Sequence, residues 1–243
     1  MSSKRPVTRL SPDARAALVS YGARAAWPAG FAIYQRGQSA DGVFVVLSGR
    51  VVLRSRVKAG RGFVPVVAAD GETFGAEGLI PGGGYVTDAR AEEPSETLHL
   101  SAAQLRSCLR EQPLVGGALL AQLMVERSAL LEKLRELATL SVEERLIASL
   151  LRMADQSGLA DDAPLVLGPA QYRLLCELVG ATRESVSLVF NRLVAAGLVE
   201  RDGTTFAVPD VAALGRRLSA AWVEEEGGSM TVSRDELGSS ARP

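Results

Sequence analysis

The chain has little cysteine, a single histidine and no excess of positive charge. Two cysteines in 243 residues, Cys108 and Cys176, cannot build a disulfide framework. They read as reduced thiols of a cytoplasmic protein, with a redox-sensing pair as the alternative. No metal-ligand cluster, nucleophile–base pair or Walker loop is present, so neither an enzyme nor a metal or cofactor site is expected. No segment approaches the roughly eighteen unbroken apolar residues of a membrane span. The amino terminus, MSSKRPVTRLSPDAR, lacks the apolar region of a secretory signal. A cytoplasmic location without a membrane partner is the expectation.

The formal net charge is −1, a mild argument against a nucleic-acid binder. Between Ser141 and Trp222 eight arginines stand against ten acids, a balance of −2. If this part meets DNA, the basic residues must be concentrated locally. Arg173, Arg183, Arg192 and Arg201 are the candidates for one shared face, and few neutralised phosphates mean modest non-specific affinity.

Hydrophobic residues make up 47% of the chain, enough for two modest domains. Its most informative stretch is 167–201, LGPAQYRLLCELVGATRESVSLVFNRLVAAGLVER. Tyr172, Leu175, Leu178 and Val179 recur at helical spacing, Gly180-Ala181 breaks the period, and Thr182 suits the N-cap of a second helix. On that helix Val186, Val189, Phe190 and Leu193 share one side. Glu184, Ser187, Leu188 and Asn191 share the other, flanked by Arg183 and Arg192. Gly197 ends the helix, and two short runs around Asp202-Gly203 predict a hairpin. Helix, turn, helix and hairpin make a winged helix, whose second helix has the size to enter a major groove.

Upstream the texture differs. Ser11-Pro12-Asp13 opens a short helix through Tyr21. From Trp27 to about Leu105, glycines punctuate short runs of Val, Ile, Phe and Leu, as in an all-β sandwich or roll. Between the two patterns, Pro113 to Leu140 is a long helix without internal proline. Leu120, Met124, Arg127, Leu131, Leu134 and Ala138 alternate at four- and three-residue steps, a coiled-coil seam. Leu119, Leu123, Leu130 and Leu137 form a neighbouring stripe. A helix apolar on two sides needs two partners: the roll for one, a second copy of the helix for the other. Ser141 and Glu144 form a capping box opening the next helix, which runs to about Gln156.

LVGATRESVSLVFNRL resembles the recognition element of the cyclic-AMP receptor/FNR (CRP/FNR) superfamily of bacterial transcription regulators, usually LVG-x-[ST]-R-E-[ST]-V-[SG]-R. Arg183, Glu184, Val186 and Ser187 match it; Leu188 stands where an arginine is usual. The segments Pro28-Ala29-Gly30, Val43–Leu47, Ser48-Gly49-Arg50-Val51 and Gly71-Glu72-x-Phe74-Gly75 resemble the same family's cyclic-nucleotide-binding domain. By composition, residues 1–9 read as a mobile tail and the polar, glycine- and serine-rich 227–243 as a disordered one. The resemblance implies an α+β chain with a cyclic-nucleotide-binding-like jelly roll (10–112), a dimerisation helix (113–140) and a winged helix (141–226).

It also implies a parallel homodimer seated on an inverted-repeat site in double-stranded DNA, with RNA polymerase as a further partner. Arg183 is expected to read guanine and Glu184 a cytosine amino group. Ser187 would touch a base or a phosphate, and Thr182 and Arg192 would fix register on phosphates. Leu188 is either idle or reads a thymine methyl group.

Members that bind cyclic AMP hold its phosphate with F-G-E-x-x-L and, about ten residues on, R-[ST]-A. This chain reads FGAEGLIPGGGYVTDARA. After Gly75, Ala76 takes the glutamate position and Glu77 follows one place late. The arginine position falls on Tyr85 or Val86, and the adenine-facing positions of the long helix on Leu130 and Leu131. With the cationic fork gone, nothing offsets desolvation of a buried phosphate. The expectation is a regulator without cyclic-AMP control, its old pocket filled by side chains. The open alternatives are a sensor of another ligand, such as a cyclic dinucleotide, and a protein-interaction module. An iron–sulfur sensor needs four thiolates, which two cysteines cannot supply. His99, the one candidate haem donor, reads as a surface or packing histidine.

Overall fold

The computed structural model describes residues 9–56, 62–157 and 163–218. The expectations for the tail before residue 9, for the part of the winged-helix span beyond 218 and for the tail 227–243 lie outside them. The chain divides into two compact units, 1–140 with 176–183, and 141–175 with 184 onward.

The first unit opens with α1 (Pro12–Val19), two residues shorter than the sequence suggests. Its cap is the anticipated one: Ser11 accepts from the Ala14 N–H, with proline at the helix start. Eight strands follow: β1 (Ala23–Trp27), β2 (Ala32–Tyr34), β3 (Gly42–Ser48), β4 (Arg50–Arg56), β5 (Gly62–Ala69), β6 (Thr73–Phe74), β7 (Asp88–Ala91) and β8 (Ser95–Ser101). They form two four-stranded sheets, ordered β1-β8-β3-β6 and β2-β7-β4-β5, with every pairing antiparallel. This is the expected roll. β3 is buried along its first five residues, GVFVV, as befits a strand covered on both faces.

Two apolar clusters hold this unit. One lies inside the roll around Tyr34, Phe44, Val51, Phe74 and Tyr85. The other joins Val43, Val45, Leu98 and Leu100 to the helices, through Leu18, Leu105, Cys108 and Val115. The helices it reaches include α2 (Ala102–Glu111), closed by a Ser101/Gln104 capping box, and α3 (Pro113–Thr139). α3 is long and apolar enough in composition to span a bilayer. Glu126 and Arg127 stand at its midpoint, however, where a bilayer is least tolerant of charge.

The second unit begins with α4 (Val142–Ser157). Its capping box is as read: the Ser141 N–H donates to Glu144 Oε2 at 2.7 Å, and the Glu144 N–H donates to Ser141 Oγ at 3.3 Å. Along the chain then come β9 (Leu165–Leu167), α5 (Pro169–Val179), α6 (Arg183–Ala195), β10 (Glu200–Asp202) and β11 (Thr205–Val208), with the stretch from Cys176 to Arg183 counted in the first unit. A last helix starts at 211. β10 and β11 are the expected hairpin, its two-residue loop being Gly203-Thr204 because Asp202 pairs with Thr205. β9 adds a third strand against β11. Tyr172, Phe190 and Phe206 meet ring to ring at 4.7–5.2 Å, placing one aromatic each from α5, α6 and β11 at the heart of the winged fold.

Candidate functional site

α6 starts at Arg183, the residue after Thr182, and the preceding Gly180 adopts the left-handed conformation that a tight turn requires (φ +67°). Its burial follows the 3.6-residue period. Val186, Val189, Phe190 and Leu193 are buried, while Arg183, Glu184, Ser187, Leu188, Asn191 and Arg192 are exposed. Thr182 is half-buried. Gly197, also left-handed, closes the helix: the Leu198 N–H reaches back to the Leu193 carbonyl at 3.0 Å. The face that carries the expected base-reading residues therefore lies in solvent, fixed by a buried opposite face.

Some of the arginines are paired with acids. Arg217 is engaged by Glu143 at 2.6 Å and Arg216 by Asp210 at 3.0 Å. Two of the eight arginines are thus spent within the unit. Arg173, Arg183, Arg192 and Arg201 are all exposed. Arg192 touches Glu143 only at 4.0 Å with a side chain that is 68% exposed. Arg201 lies over the Phe206 ring, 5.6 Å from its centre, which steadies it at the hairpin.

In the roll, the phosphate-cassette positions take a different form. Gly75 is left-handed (φ +72°) and leads into a single 3-10 turn, Ala76–Leu79. Tyr85 is buried and stacks on Tyr34, with centroids 3.6 Å apart and planes within 8°. Val86 is 61% exposed, so of the two candidates for the family's arginine position it is Tyr85 that faces inward. Phe44 and Phe74 stack beside this pair at 5.0 Å. A Cβ on Gly75 would stand 3.2–3.4 Å from the rings of Phe44, Tyr34 and Tyr85; glycine lets the aromatics close over the turn. Burial pushes both the Tyr34 and Tyr85 phenols above their usual range, keeping them neutral.

The aromatics do not fill the whole site. A cavity of about 440 Å³ remains between the 3-10 turn and α3. Leu53, Phe74, Ala76 and Ile80 line it from the roll, and Leu123, Leu130, Leu131 and Leu134 from the helix, with Glu77, Glu126 and Arg127 as its charged members. It is an open groove, with Leu131 and Leu134 more than half exposed, beside the packed aromatics. Two glutamates and one arginine leave its lining with no cationic excess.

α3 anchors to the roll through Val115, Leu119 and Gln122 rather than through one continuous leucine stripe. Gln122 is buried and donates to the Gly71 carbonyl at 2.6 Å; as a polar residue between two apolar stripes it gave no signal in the sequence. Leu123 and Leu130 line the cavity instead. The seam residues are open: Leu120 is 58%, Met124 47%, Leu131 54% and Leu134 63% exposed, and Arg127 and Ala138 are exposed beside them. His99 packs on Phe44 and lies 3.1 Å from Asp41, a packing role. Cys108 and Cys176 are both buried, and no disulfide joins them.

Two family models match the chain. One, described as a cyclic nucleotide-binding domain, covers residues 24–112. The other, a Crp-like helix-turn-helix domain, covers 144–217. The cyclic AMP receptor protein of Thermus thermophilus is 31% identical over 211 residues, spanning 84% of this chain and 92% of that protein. The CRP-like cAMP-activated global transcriptional regulator of Mycobacterium tuberculosis is 23% identical over 209 residues, spanning 86% and 93%. Among solved structures, the c-di-GMP responsive global regulator CLP of Xanthomonas campestris superposes with a TM-score of 0.73 at 22% identity, covering 82% of this chain and 99% of that one.

Proposed function

Because the chain belongs to the CRP/FNR superfamily of DNA-binding transcription regulators, we propose that it binds an inverted-repeat DNA site as a cytoplasmic homodimer and does so without cyclic-AMP control. It acts as a binding protein and not as an enzyme, and RNA polymerase is the partner through which occupancy of the site reaches transcription. The roll (10–112) is the sensory remnant, 113–140 the dimerisation helix and 141–226 the DNA-binding domain.

The observation that carries the DNA reading is the solvent-exposed face of α6, set on a buried opposite face. Arg183 offers a bidentate fork to guanine, Glu184 an acceptor to cytosine and Ser187 a hydroxyl; Thr182 and Arg192 bear on phosphates. Dimerisation is supported by the open seam from Leu120 to Ala138, four large apolar side chains that a second copy would cover. Two-fold symmetry then spaces two recognition helices about 34 Å apart. Loss of cyclic-AMP control is supported by the neutral, stacked Tyr34–Tyr85 pair at the cassette and by leucines at 130 and 131.

The remaining cavity favours a second reading, a regulator that answers to some other ligand. The fold is shared with a regulator responsive to c-di-GMP, but this cavity's mostly apolar lining suits a less charged molecule than any cyclic nucleotide.

The deciding experiment is footprinting of the full-length protein on fragments from its host genome, with sedimentation of the free protein. We expect a dimer that protects a palindrome without added nucleotide and loses affinity steeply with salt. Weak binding, equal on every fragment, would instead favour a protein-interaction module on the same scaffold.

A further inference from the structure

The exposed face of α6 contains one large apolar side chain. Leu188 is 60% exposed, and the residues exposed around it on the helix are Glu184, Ser187, Asn191 and Arg192. A solitary surface leucine is ordinary on a protein. This one, however, lies at the centre of the face that is set toward DNA, one turn beyond Glu184. It lies outside the buried side of the helix, which is made of Val186, Val189, Phe190 and Leu193.

Each polar neighbour can exchange hydrogen bonds with a base edge or a phosphate; a leucine cannot. Opposite a donor or acceptor in the groove it would leave that group desolvated and unpaired. The only major-groove feature that gains from an aliphatic partner is the C5-methyl group of thymine. We infer that Leu188 is a specificity-determining residue that selects thymine through that methyl group. The inference rests on α6 being the recognition helix and deepens that reading.

The helix geometry sharpens it. Four residues of helix advance about 6 Å, and successive bases on a strand are about 3.4 Å apart. The thymine should therefore fall within about two base pairs of the cytosine that Glu184 reads.

The test selects bound half-sites from randomised duplexes with the full-length protein, then replaces each selected thymine by deoxyuridine, which differs only in lacking the methyl group. At one position near the half-site core, deoxyuridine should weaken binding about fourfold, the equivalent of one methyl-sized group removed from burial. In Leu188→Ala the thymine-to-uridine difference at that position should vanish while the rest of the consensus persists. In Leu188→Arg the preferred base there should change to guanine, whose O6 and N7 accept a guanidinium fork. Because residue 188 is exposed, both variants should fold, and their melting curves check this. A sharp consensus that is indifferent to every thymine methyl, or a thymine preference that survives Leu188→Ala, overturns the assignment alone. Selection of no sequence at all would overturn the recognition-helix reading and this inference together.

Discussion

The cassette of the roll and the exposed face of α6 both align with stretches whose usual family pattern is charged, yet this chain departs from that pattern differently in each. Inside the roll the departure involves packing. The inward position holds Tyr85, which stacks on Tyr34, and Gly75 leaves room for the rings to close. A charge there would have to be desolvated or paired, so losing it means replacing it with something that fills space. On α6 the departure is a single residue in water: Leu188 is exposed and stands apart from the buried side of Val186, Val189, Phe190 and Leu193. An enclosed site is coupled to the core and changes as a group, whereas an exposed site can change one contact at a time.

The largest effect that tests this contrast comes from crossing to the buried side of the same helix. Phe190 is 1% exposed and meets both Tyr172 and Phe206. Phe190→Ala should cost about 3–5 kcal/mol of stability, a large share of a typical domain's 5–15 kcal/mol or so. Urea unfolding should show the loss together with the disappearance of DNA binding. A near-neutral result would mean that the aromatic trio does not position α6.

A smaller and cleaner loss is expected on the exposed side. Arg183→Ala should weaken binding to the selected site by about 1–3 kcal/mol, with the melting curve unchanged because the side chain lies in solvent. Titration of labelled duplexes at fixed salt measures it. Unaltered affinity for that site would remove Arg183 from base readout.

The sequence was most legible where the decisive contacts are local. Ser141 and Glu144 are three residues apart and form the box their spacing announces. The Gly180 turn and the start of α6 after Thr182 needed only the break in period and the cap residue. Contacts between distant residues were not legible. Tyr34 and Tyr85 are 51 positions apart in chain order, and nothing local shows that their rings stack. β9 is a three-residue run, Leu-Val-Leu, whose strand character comes from pairing with β11 some forty residues later. Gln122 looks like a surface residue on a helical wheel; the carbonyl its amide N–H reaches belongs to Gly71, in the turn before β6 and 51 positions earlier in the chain. The cavity is a still clearer case, since apolar substitutions at 76, 130 and 131 are compatible with either a filled pocket or an open one.

The smallest expected effect falls on the roll, where it is a null. A ligand that binds only the folded state at a hundred times its Kd adds about 2.7 kcal/mol to stability, and in a cyclic-AMP receptor that gain would draw on a cation set against the phosphate. Here the inward cassette residue is an uncharged tyrosine, and the cavity's sole arginine, Arg127, shares its lining with Glu77 and Glu126. A phosphate entering would give up its water without a net positive partner. Cyclic AMP at millimolar concentration should therefore leave both the melting temperature and the DNA affinity unchanged. A positive shift in either would mean that Arg127 swings to meet the phosphate despite its acidic neighbours. The roll would then have kept by rearrangement what its cassette lost by substitution, and the contrast with α6 would no longer be one between a site abandoned and a site retained.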